Sequence, residues 1–578
     1  MMTRTTTTRR TVTRRKTAVA AETATGPVLK CIPLGGFGEI GRNMMFFEYE
    51  DEIIIIDAGI QFPQDETPGV DFIIPNVSYL EQNKKKVKAL ILTHGHYDHI
   101  GAVPYIIEKI GNPIIYTTIL TKEFVAKRQM EFPNSPKLQF QVVKNHDIVQ
   151  LSKYFSAEFF GVAHTIPDTT GIILKTPAGN MVTCADFRID YDNSNSPLGL
   201  AEFERVGKIG IHTLFLDSTN AEESGRSLSE RVVEKNLEEL IKVANGRVII
   251  SMFASMITRI AEVINIAERL GKKVVILGRS MKDNYQICKN LGYIKHGKDV
   301  LVAVEEIHKY QDNKIIILTP GAQGQSNSGF MRIANGEHKH IHIKNTDTIM
   351  FSASVIPGNE RSVQFLKDNL ARQAGKVYTS NLIDIHASGH APAEELKQVI
   401  SLIKPKFLVP IHGHYFMRAI NAEHGQDVGI PKENTILLEN GQISEVTENN
   451  FKPTDKTVES YYVMVDGLGV GDVQEVVLRD RLMLSQEGMV VIIAVISQSS
   501  GRLLKNPDII SRGFIYLKEN RDLLNDIRDK LRNVLVRLPR HNAPEPEYIK
   551  SLIRDQIGQL LYNKTKRRPM VLPVLIEV

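Results

Sequence analysis

Residues 93–101, Thr-His-Gly-His-Tyr-Asp-His-Ile-Gly, place four side chains that can bind metal within six positions: His94, His96, Asp98 and His99. Neutral imidazole and carboxylate together suit zinc or a similar divalent ion, and an aspartate between histidines can serve a second ion nearby. A solvated histidine-rich loop is the plain alternative, but it would not explain the hydrophobic strand that leads into the motif. The spacing therefore predicts a two-metal site.

The elements around this motif place its side chains at strand ends. Residues 87–92 are predicted to form a buried strand, and Gly95 and Gly101 permit sharp turns that direct separate imidazoles inward. Asp57 follows another predicted strand, residues 53–56. It is either a capping carboxylate or a group that orients a metal-bound histidine, and we favour the second role.

Two candidate ligands lie farther along the chain. His164 follows an apolar strand, and Asp186 follows residues 181–185, where a carboxylate can bridge two metal ions. A lone histidine at a strand end is more often structural. The residues occur in the order His-x-His-x-Asp-His, then His, then Asp, with a final His much later. This order favours a metal-binding role for each of them over a structural one.

A glycine-rich stretch, residues 35–43, matches the G-x-G-x-x-G pattern of dinucleotide-binding proteins. That pattern must open a helix, whereas residues 44–49 lead into another strand. We therefore reject a dinucleotide site.

The 578 residues predict about three domains of ordinary size. The three cysteines, Cys31, Cys184 and Cys288, are far apart, which excludes a disulfide framework and a cysteine-type zinc site. No run of 18 apolar residues occurs, and the N-terminus lacks the apolar block of a signal peptide. We expect a cytoplasmic protein with no membrane partner.

The net charge of +5 resides in residues 1–26, which carry six basic side chains and one acidic one. This threonine- and arginine-rich tail cannot bury enough apolar surface to fold, so we expect a disordered tail, with weak RNA contact as the functional alternative. A transit peptide has the same composition, but the motifs favour a bacterial cytoplasm. The rest of the chain is neutral, so any polyanion must be held by a local groove.

Six further motifs occur in order: residues 214–222, 253–255, 278–281, 357–360, 386–390 and 410–414. Together with the ligand series they resemble the bacterial ribonuclease J family of β-CASP nucleases, within the metallo-β-lactamase superfamily, from about residue 28 to the C-terminus. The resemblance implies an α/β protein: an αββα sandwich with its di-metal site at strand ends, an inserted parallel-sheet β-CASP domain and a small C-terminal α/β domain.

The domain boundaries follow from the same pattern. Alternating strands and helices after Asp217 predict a parallel sheet with helices on both faces, inserted before the last histidine ligand. Polar residues 449–460 are typical of a linker. We predict a disordered basic tail at 1–26, the first part of the metallo-β-lactamase domain at 27–228, the β-CASP domain at 229–377, the second metallo-β-lactamase part at 378–448, a linker at 449–470 and the C-terminal domain at 471–578.

The resemblance also implies residue roles at the metal centre. It assigns His94, His96 and His164 to one ion, and Asp98, His99 and His412 to the other, with Asp186 bridging them. The ions would be two Zn²⁺, or Mn²⁺ or Mg²⁺. Asp186, Asp217 and His390 form the implied catalytic set, in which His390 contacts the scissile phosphate or protonates the leaving oxygen and Asp217 holds the local geometry.

Other predicted sites lie outside this centre. The implied substrate contacts are Phe253, Ala254, Ser255, His386, Ala387, Ser388, Gly389 and His390. Ser352 and Ser354 follow a buried strand, where hydroxyls and turn amides can hold a phosphate. Gly69, Asp71 and Asp466 match positions that bind a structural calcium ion in some relatives. His338, His340 and His342 alternate, which predicts a polar strand face rather than a metal site.

The implied activity is that of a metal-dependent ribonuclease, a 5′-to-3′ exonuclease and endonuclease in mRNA turnover and rRNA processing. Its substrate would be single-stranded RNA with a 5′-monophosphate end. The C-terminal domain would support a homodimer or tetramer, and RNA-decay or ribosome-associated proteins are candidate partners. Tyr97 and His414 stand where the family has acidic residues, which bears on local charge rather than on the reaction.

Two alternatives remain open. A small-molecule hydrolase of the same fold, such as a thioesterase or lactonase, would lack the inserted domain and the Ser388-Gly389-His390 motif. A non-catalytic RNA-binding scaffold would not need an intact ligand series.

Overall fold

The computed structural model describes residues 27–63, 67–192, 194, 196–325, 328–356, 358–467, 469–471, 475–498, 502–515, 520–537 and 545–578. The predicted basic tail, residues 1–26, lies outside the described residues. Within the described ranges, no helix has the length and apolar character needed to cross a membrane.

The first part of the chain forms most of one large sheet and begins a second. Its elements, in chain order, are Leu29–Gly35 (β1), Phe37–Gly38 (β2), Met44–Tyr49 (β3), Glu52–Ile56 (β4), Phe72–Ile74 (β5), Ser78–Gln82 (α1), Val87–Ile91 (β6), Tyr97–Ile100 (α2), Val103–Ile106 (α3), Ile114–Thr117 (β7), Ile119–Gln129 (α4), Phe140–Val142 (β8), Ile148–Gln150 (β9), Ser156–Gly161 (β10), Thr170–Thr176 (β11), Gly179–Thr183 (β12), Asp190–Tyr191 (β13), Pro197–Leu198 (β14), Leu200–Gly207 (α5) and Thr213–Asp217 (β15).

A separate sheet with its own helices follows β15. The elements of this inserted part are Glu230–Val243 (α6), Val248–Ser251 (β16), Ile257–Arg269 (α7), Lys273–Ile276 (β17), Arg279–Asn290 (α8), Ile315–Thr319 (β18), Gly329–Ala334 (α9), Thr348–Phe351 (β19), Glu360–Ala371 (α10) and Lys376–Thr379 (β20). Short 3₁₀ turns cover Val304–Lys309 and Asp312–Lys314.

The chain then returns to the large sheets and ends in a small third unit. The remaining elements are Ala393–Ile403 (α11), Phe407–Ile411 (β21), Gly413–His414 (β22), Tyr415–Asp427 (α12), Gln442–Thr447 (β23), Asn450–Thr457 (β24), Val463–Asp466 (β25), Gly469–Val470 (β26), Glu475–Glu487 (α13), Met489–Ile496 (β27), Asp508–Arg512 (β28), Arg521–Val536 (α14), Pro546–Thr565 (α15) and Met570–Glu577 (β29), with a 3₁₀ turn at Lys432–Asn434.

Two large sheets pack face to face. Their strand orders are β24-β23-β1-β3-β4-β6-β7-β8 and β21-β15-β12-β11-β10-β9. Alternate side chains meet in the layer between them, including Phe47 and Ile54 from one sheet and Phe159 and Phe215 from the other. Because helices cover the outer faces, the predicted αββα sandwich is confirmed.

The inserted part has a five-stranded sheet with the order β17-β18-β16-β19-β20, and every neighbouring pair is parallel. Its strands are nearly continuous apolar runs, as expected where helices bury both faces of a parallel sheet. The buried Arg247 and Asp347 side chains, with Nη2 and Oδ2 2.6 Å apart, join the segments just before β16 and β19. This confirms the predicted parallel sheet.

The structure corrects the prediction of a linker at 449–470. Residues 450–457 form β24, an edge strand of the eight-stranded sheet that pairs with β23. Residues 463–466 form β25, which pairs with β5 near residues 72–74. An edge strand buries few side chains, here mainly Phe451, so its sequence is as polar as that of a linker.

The third unit packs two helices on a three-stranded sheet. The strand order is β28-β27-β29, and α14 and α15 bury Ile527, Leu531, Ile553 and Ile557 in its core. Only one face of the sheet is covered in this way, because alternate residues of β27 are buried and half-exposed. This matches the expected small C-terminal α/β domain.

Candidate metal centre

Parallel strands bring most of the predicted ligands to one place. β12, β15 and β21 are parallel neighbours, and Asp186, Asp217 and His412 lie at or just beyond their carboxyl ends. The strand that leaves for the inserted part therefore ends beside the strand that returns from it, which explains how residues almost two hundred positions apart become neighbours. His94 follows β6 in the facing sheet.

The first group of donor atoms consists of three imidazoles and one carboxylate. His96 Nδ1 lies 3.1 Å from His94 Nε2 and 3.1 Å from His164 Nε2. Asp186 Oδ2 lies 3.7 Å from His94 Nε2. One ligand atom from each of these four residues lies within 4.8 Å of the others, so the group has the dimensions of a metal site.

The second group shares Asp186 with the first. His99 Nε2 lies 3.2 Å from Asp186 Oδ2, and His412 Nε2 lies 3.3 Å from Asp98 Oδ2. The ligand atoms of Asp98, His99, Asp186 and His412 again lie within 4.8 Å of one another. Asp186 therefore stands between the two groups, as a bridging carboxylate must.

The opposite ring nitrogens are held by other parts of the protein. His99 Nδ1 lies 2.8 Å from Asp57 Oδ2, and the Asp57 carboxylate also accepts hydrogen bonds from the amide and hydroxyl of Thr93. His164 Nδ1 donates to the Gly389 carbonyl over 2.7 Å. These bonds fix ring orientation and direct the remaining nitrogen of each ring inward. The role favoured for Asp57 agrees with this geometry.

Three residues at this site have a strained backbone. The backbone φ angles of Asp57, Ala185 and His412 are 60°, 53° and 51°, values that residues other than glycine rarely adopt. Such strain clusters at functional sites. Gly389 is required for a related reason, since a Cβ at this position would lie 2.6 Å from His164 Cε1.

Electrostatics distinguish the two groups. Burial lowers the pKa of His94 and His164 well below the usual range, and lowers that of His96 to about 4, so these three rings are neutral at pH 7. Burial also acts against protonated His412, but the carboxylates of Asp186, Asp217 and Asp98 raise its pKa to about 10.

The residues present fit metal ions. In the first group, His94 Nε2, His96 Nδ1 and His164 Nε2 point into one space. A proton shared by two of these nitrogens leaves the third without a hydrogen-bond partner there. The rings are also kept neutral by burial, which is the form that binds metal. A mixed set of imidazole nitrogens and carboxylate oxygens suits zinc, and manganese or magnesium less well.

His390 lies at the edge of this centre. Its Nδ1 is 2.7 Å from Asp217 Oδ2, and its ring stacks on the His412 ring at 5.5 Å between centroids. Asn220 Nδ2 donates to the His390 carbonyl over 3.0 Å. Burial disfavours the protonated ring, but Asp217 outweighs it and raises the His390 pKa. With Nδ1 held by Asp217, Nε2 is the nitrogen left for a substrate, and the side chain is 21% exposed.

The other predicted substrate contacts are distributed around the loop 386–390. Ser388 Oγ accepts hydrogen bonds from Asn220 and from the His390 amide, while His386 is half-buried and its Nδ1 has no partner within the described residues. The backbone of Ala254, beside half-buried Phe253 and Ser255, accepts a hydrogen bond from Asn284.

The two serines predicted to hold phosphate differ. Ser352 is buried, donates its hydroxyl hydrogen to the Ile385 carbonyl over 2.6 Å and accepts a bond from Arg259. Its hydroxyl is therefore used within the protein, and the phosphate hypothesis for Ser352 is wrong. Ser354 is exposed.

The predicted calcium position does not fit calcium. Arg481 on α13 forms an ion pair with Asp466, and its other nitrogen donates to the Pro68 carbonyl over 3.3 Å. Asp71 accepts from the Gly467 amide. Calcium takes about six to eight oxygen ligands, and no third carboxylate joins Asp71 and Asp466 in the described ranges. The sequence assigned a calcium ion to this position, but the positive charge beside Gly69 comes from the Arg481 guanidinium.

Several residues near the centre were missed from sequence. Thr219 Oγ1 contacts His412 Nδ1 at 2.8 Å and donates to Asp217 at 2.7 Å. Asn43 Nδ2 lies 3.0 Å from His99 Nε2. Both belong to motifs that were recognised, but a threonine and an asparagine in a loop carry no signal of metal proximity by themselves. The histidines at 338–342 lie in a loop, so the predicted strand there is wrong.

Four family models match the chain. Residues 37–189 match the metallo-beta-lactamase superfamily, 245–370 the beta-CASP domain of ribonuclease J, 376–432 the Zn-dependent metallo-hydrolase RNA specificity domain and 476–578 the ribonuclease J C-terminal domain.

Whole proteins are also similar. The chain is 34% identical over 551 residues to ribonuclease J2 of Bacillus subtilis strain 168, which covers 95% of this chain and 99% of the relative. It is 36% identical over 543 residues to ribonuclease J 1 of Streptococcus pyogenes serotype M3, and these residues cover 94% of this chain and 96% of the relative. A solved protein of unknown function from Enterococcus faecalis V583 has a TM-score of 0.51 at 18% identity and covers 73% of this chain and all of its own, which shows the fold alone.

Proposed function

Because the chain belongs to the ribonuclease J family, we propose that it is a metal-dependent ribonuclease that hydrolyses RNA phosphodiesters as a 5′-to-3′ exonuclease and as an endonuclease, in RNA decay and maturation. The observation that carries this proposal is the convergence of His94, His96, His164, Asp98, His99, His412 and Asp186 into two groups that share one carboxylate. The sandwich positions these residues, and the loop 386–390 places the Gly389 carbonyl and His390 beside them.

The two groups would hold two divalent ions, of which Zn²⁺ fits the donor set best and Mn²⁺ or Mg²⁺ are alternatives. A pair of such ions, when bound, activates water at neutral pH and neutralises charge that develops on a phosphate. The remaining chemistry belongs to the side chains. Asp57 fixes the ring of His99, and Asp217 fixes those of His390 and His412, so the donor atoms stay aligned during turnover.

His390 is the residue that we assign to the scissile phosphate. Asp217 holds its Nδ1, which leaves Nε2 to donate a hydrogen bond to a phosphate oxygen or a proton to the leaving oxygen. A protonated ring suits either role, and the Asp217 carboxylate favours it by raising the His390 pKa. The products would be a 5′-phosphate and a 3′-hydroxyl.

The substrate that we propose is single-stranded RNA, with preference for a 5′-monophosphate end. Segment 253–255 lies within the inserted domain and segment 386–390 follows it. Their half-buried small residues Ala254, Ser255 and Ser388 can lie close to a polynucleotide backbone. RNA-decay or ribosome-associated proteins are the proposed macromolecular partners, and the cytoplasm is the proposed location.

We propose that the homodimer or tetramer contact forms on the C-terminal sheet. The face of this sheet away from α14 and α15 carries the alternate apolar residues Val491, Ile493, Leu572, Val574 and Ile576, and the last three are 39%, 43% and 46% exposed. A continuous apolar face marks an interaction surface. We expect Val574→Glu to shift a dimer or tetramer to a smaller species in sedimentation, whereas the exposed Lys505→Glu in the same domain leaves it unchanged.

The function is tested by mapping products from one labelled RNA. RNA bearing a 5′-monophosphate should be degraded to mononucleotides, with internal cuts on a 5′-protected RNA, and a chelator should stop both reactions. The bound metal is measured on the same preparation. Hydrolysis of thioesters without cleavage of RNA, or metal binding without any hydrolysis, would overturn the proposal.

A further inference from the structure

A cavity of 260 Å³ lies in the inserted domain, and none of its lining residues belongs to the histidine cluster. It opens at the carboxyl ends of β19 and β20, where Phe351 pairs with Thr379 across the two parallel strands. Ligands of parallel α/β sheets bind at this edge, in crevices beyond the strand ends. The position is that of a ligand subsite, and the volume is just below the about 300 Å³ at which pockets for small molecules begin.

The floor of the cavity is apolar. Phe351, Val355 and Val363 contribute to it, and Phe351 and Val363 are almost fully buried. Gln323 holds the neighbouring loop in place, because its Nε2 donates to the Ser354 carbonyl over 2.8 Å and its Oε1 accepts from the Ile356 amide over 2.9 Å. The cavity is therefore shaped by the fold rather than by a loose loop.

The rim carries one cation and several neutral polar groups. Lys367 Nζ lies 6.0 Å from the centre of the Phe351 ring, and among the residues that the structure describes it makes no ion pair or hydrogen bond. The side chains of Thr379, Ser380 and Asn381 are also without partners among those residues. A floor that accepts a flat apolar group thus faces hydroxyls, an amide and an ammonium whose hydrogen-bonding capacity is unused.

We infer that this cavity binds a nucleoside monophosphate, either as one unpaired nucleotide of an RNA strand or as a free nucleotide. The base would pack on the floor, the sugar and base edges would meet the hydroxyls and the amide, and the phosphate would pair with Lys367. This inference extends the proposed function by naming a second contact for the same substrate class, and it rests on that function for the RNA source alone.

Buried hydrogen bonds fix the segment after the cavity floor to the segment that leads to His390. Ser352 follows Phe351 and donates to the Ile385 carbonyl over 2.6 Å, and Arg259 donates to both groups. His390 lies five positions after Ile385, a span of at most about 18 Å.

Binding of AMP and UMP to the full chain in chelator, measured by calorimetry, tests the inference. Lys367→Ala should weaken binding about tenfold, which corresponds to about 1.4 kcal/mol. The matched control is Lys376→Ala, an exposed lysine at the amino end of β20, which should bind as the wild type does. His390→Ala should retain the binding that Lys367→Ala loses, because the two sites are separate.

A second arm distinguishes the sources of the nucleotide. In chelator, an eight-nucleotide single-stranded RNA is titrated against the same variants by fluorescence anisotropy. Weaker binding of this RNA to Lys367→Ala assigns the cavity to the RNA strand, and unchanged RNA binding with weaker AMP binding assigns it to a free nucleotide. Equal affinities of wild type and Lys367→Ala for both probes would overturn the inference, even if RNA is hydrolysed. Absence of RNA hydrolysis with intact AMP binding would instead reject the proposed function.

Discussion

At the histidine cluster, donor atoms from four parts of the chain converge. The outer nitrogens of His99, His412 and His164 are already bonded to Asp57, Thr219 and the Gly389 carbonyl. At the Asp71–Asp466 position, which the sequence also assigned to a cation, Arg481 supplies the positive charge from the same chain. The first region needs an ion from outside, and the second does not. Carboxylates in a sequence therefore predict a nearby positive charge but not its source.

The largest expected effect comes from the histidine cluster. Asp98→Ala combined with His99→Ala removes two of the four donors in one group, so RNA cleavage should fall by about a thousandfold or more. Loss of an outer hydrogen-bond partner typically costs only about 10- to 100-fold. Metal content, measured by elemental analysis, should fall as well, while circular dichroism stays unchanged. His338→Ala, in a loop far along the chain, is the matched control. Unchanged turnover in the double variant would refute the metal assignment.

A smaller effect is expected when an orienting group is altered. Asp57→Asn keeps a side chain that tolerates the φ of 60°, but it replaces the carboxylate that holds His99 Nδ1. Metal affinity, measured by competition with a chelator, should weaken about 10- to 100-fold. Activity should return at high metal concentration, which separates this variant from one that has lost a ligand. A variant that metal does not rescue would show that Asp57 does more than orient the ring.

At the second region the expected effect is on stability. Arg481→Gln removes the ion pair between α13 and Asp466, whose side chains are 32% and 34% exposed. Because water screens a pair of this exposure, the cost should be about 0.5–1 kcal/mol in the free energy of unfolding. Denaturant titration followed by circular dichroism measures it, with Arg532→Gln, an exposed arginine on α14, as control. RNA cleavage should be unchanged, and a loss comparable to that of a ligand variant would break the contrast between the two regions.

The sandwich and the inserted sheet were predictable because their strands are long apolar runs, and the ligands stand at the ends of these runs. The role of Arg481 was not predictable, because its helix was not recognised from sequence and the spacing between Asp466 and Arg481 does not indicate an ion pair. β24 was missed because an edge strand exposes most of its side chains. Thr219 and Asn43 were missed because their contacts depend on strands that only the folded sheets bring together. Sequence thus indicates which residues carry chemistry more readily than it indicates which residues hold them.

The smallest expected effect sharpens the interpretation of Arg481 as the resident cation. In the wild type, millimolar calcium and the calcium chelator EGTA should give the same melting temperature, because the guanidinium already pairs with Asp466. Arg481→Ala leaves Asp466 without this partner, beside the Pro68 carbonyl and Asp71, so a weak calcium site can form. At a calcium concentration equal to the dissociation constant, the stabilisation is about 0.4 kcal/mol. Asp466→Asn in the same background should abolish the shift. Calcium-dependent melting of the wild type would instead show that an ion and the arginine share this position.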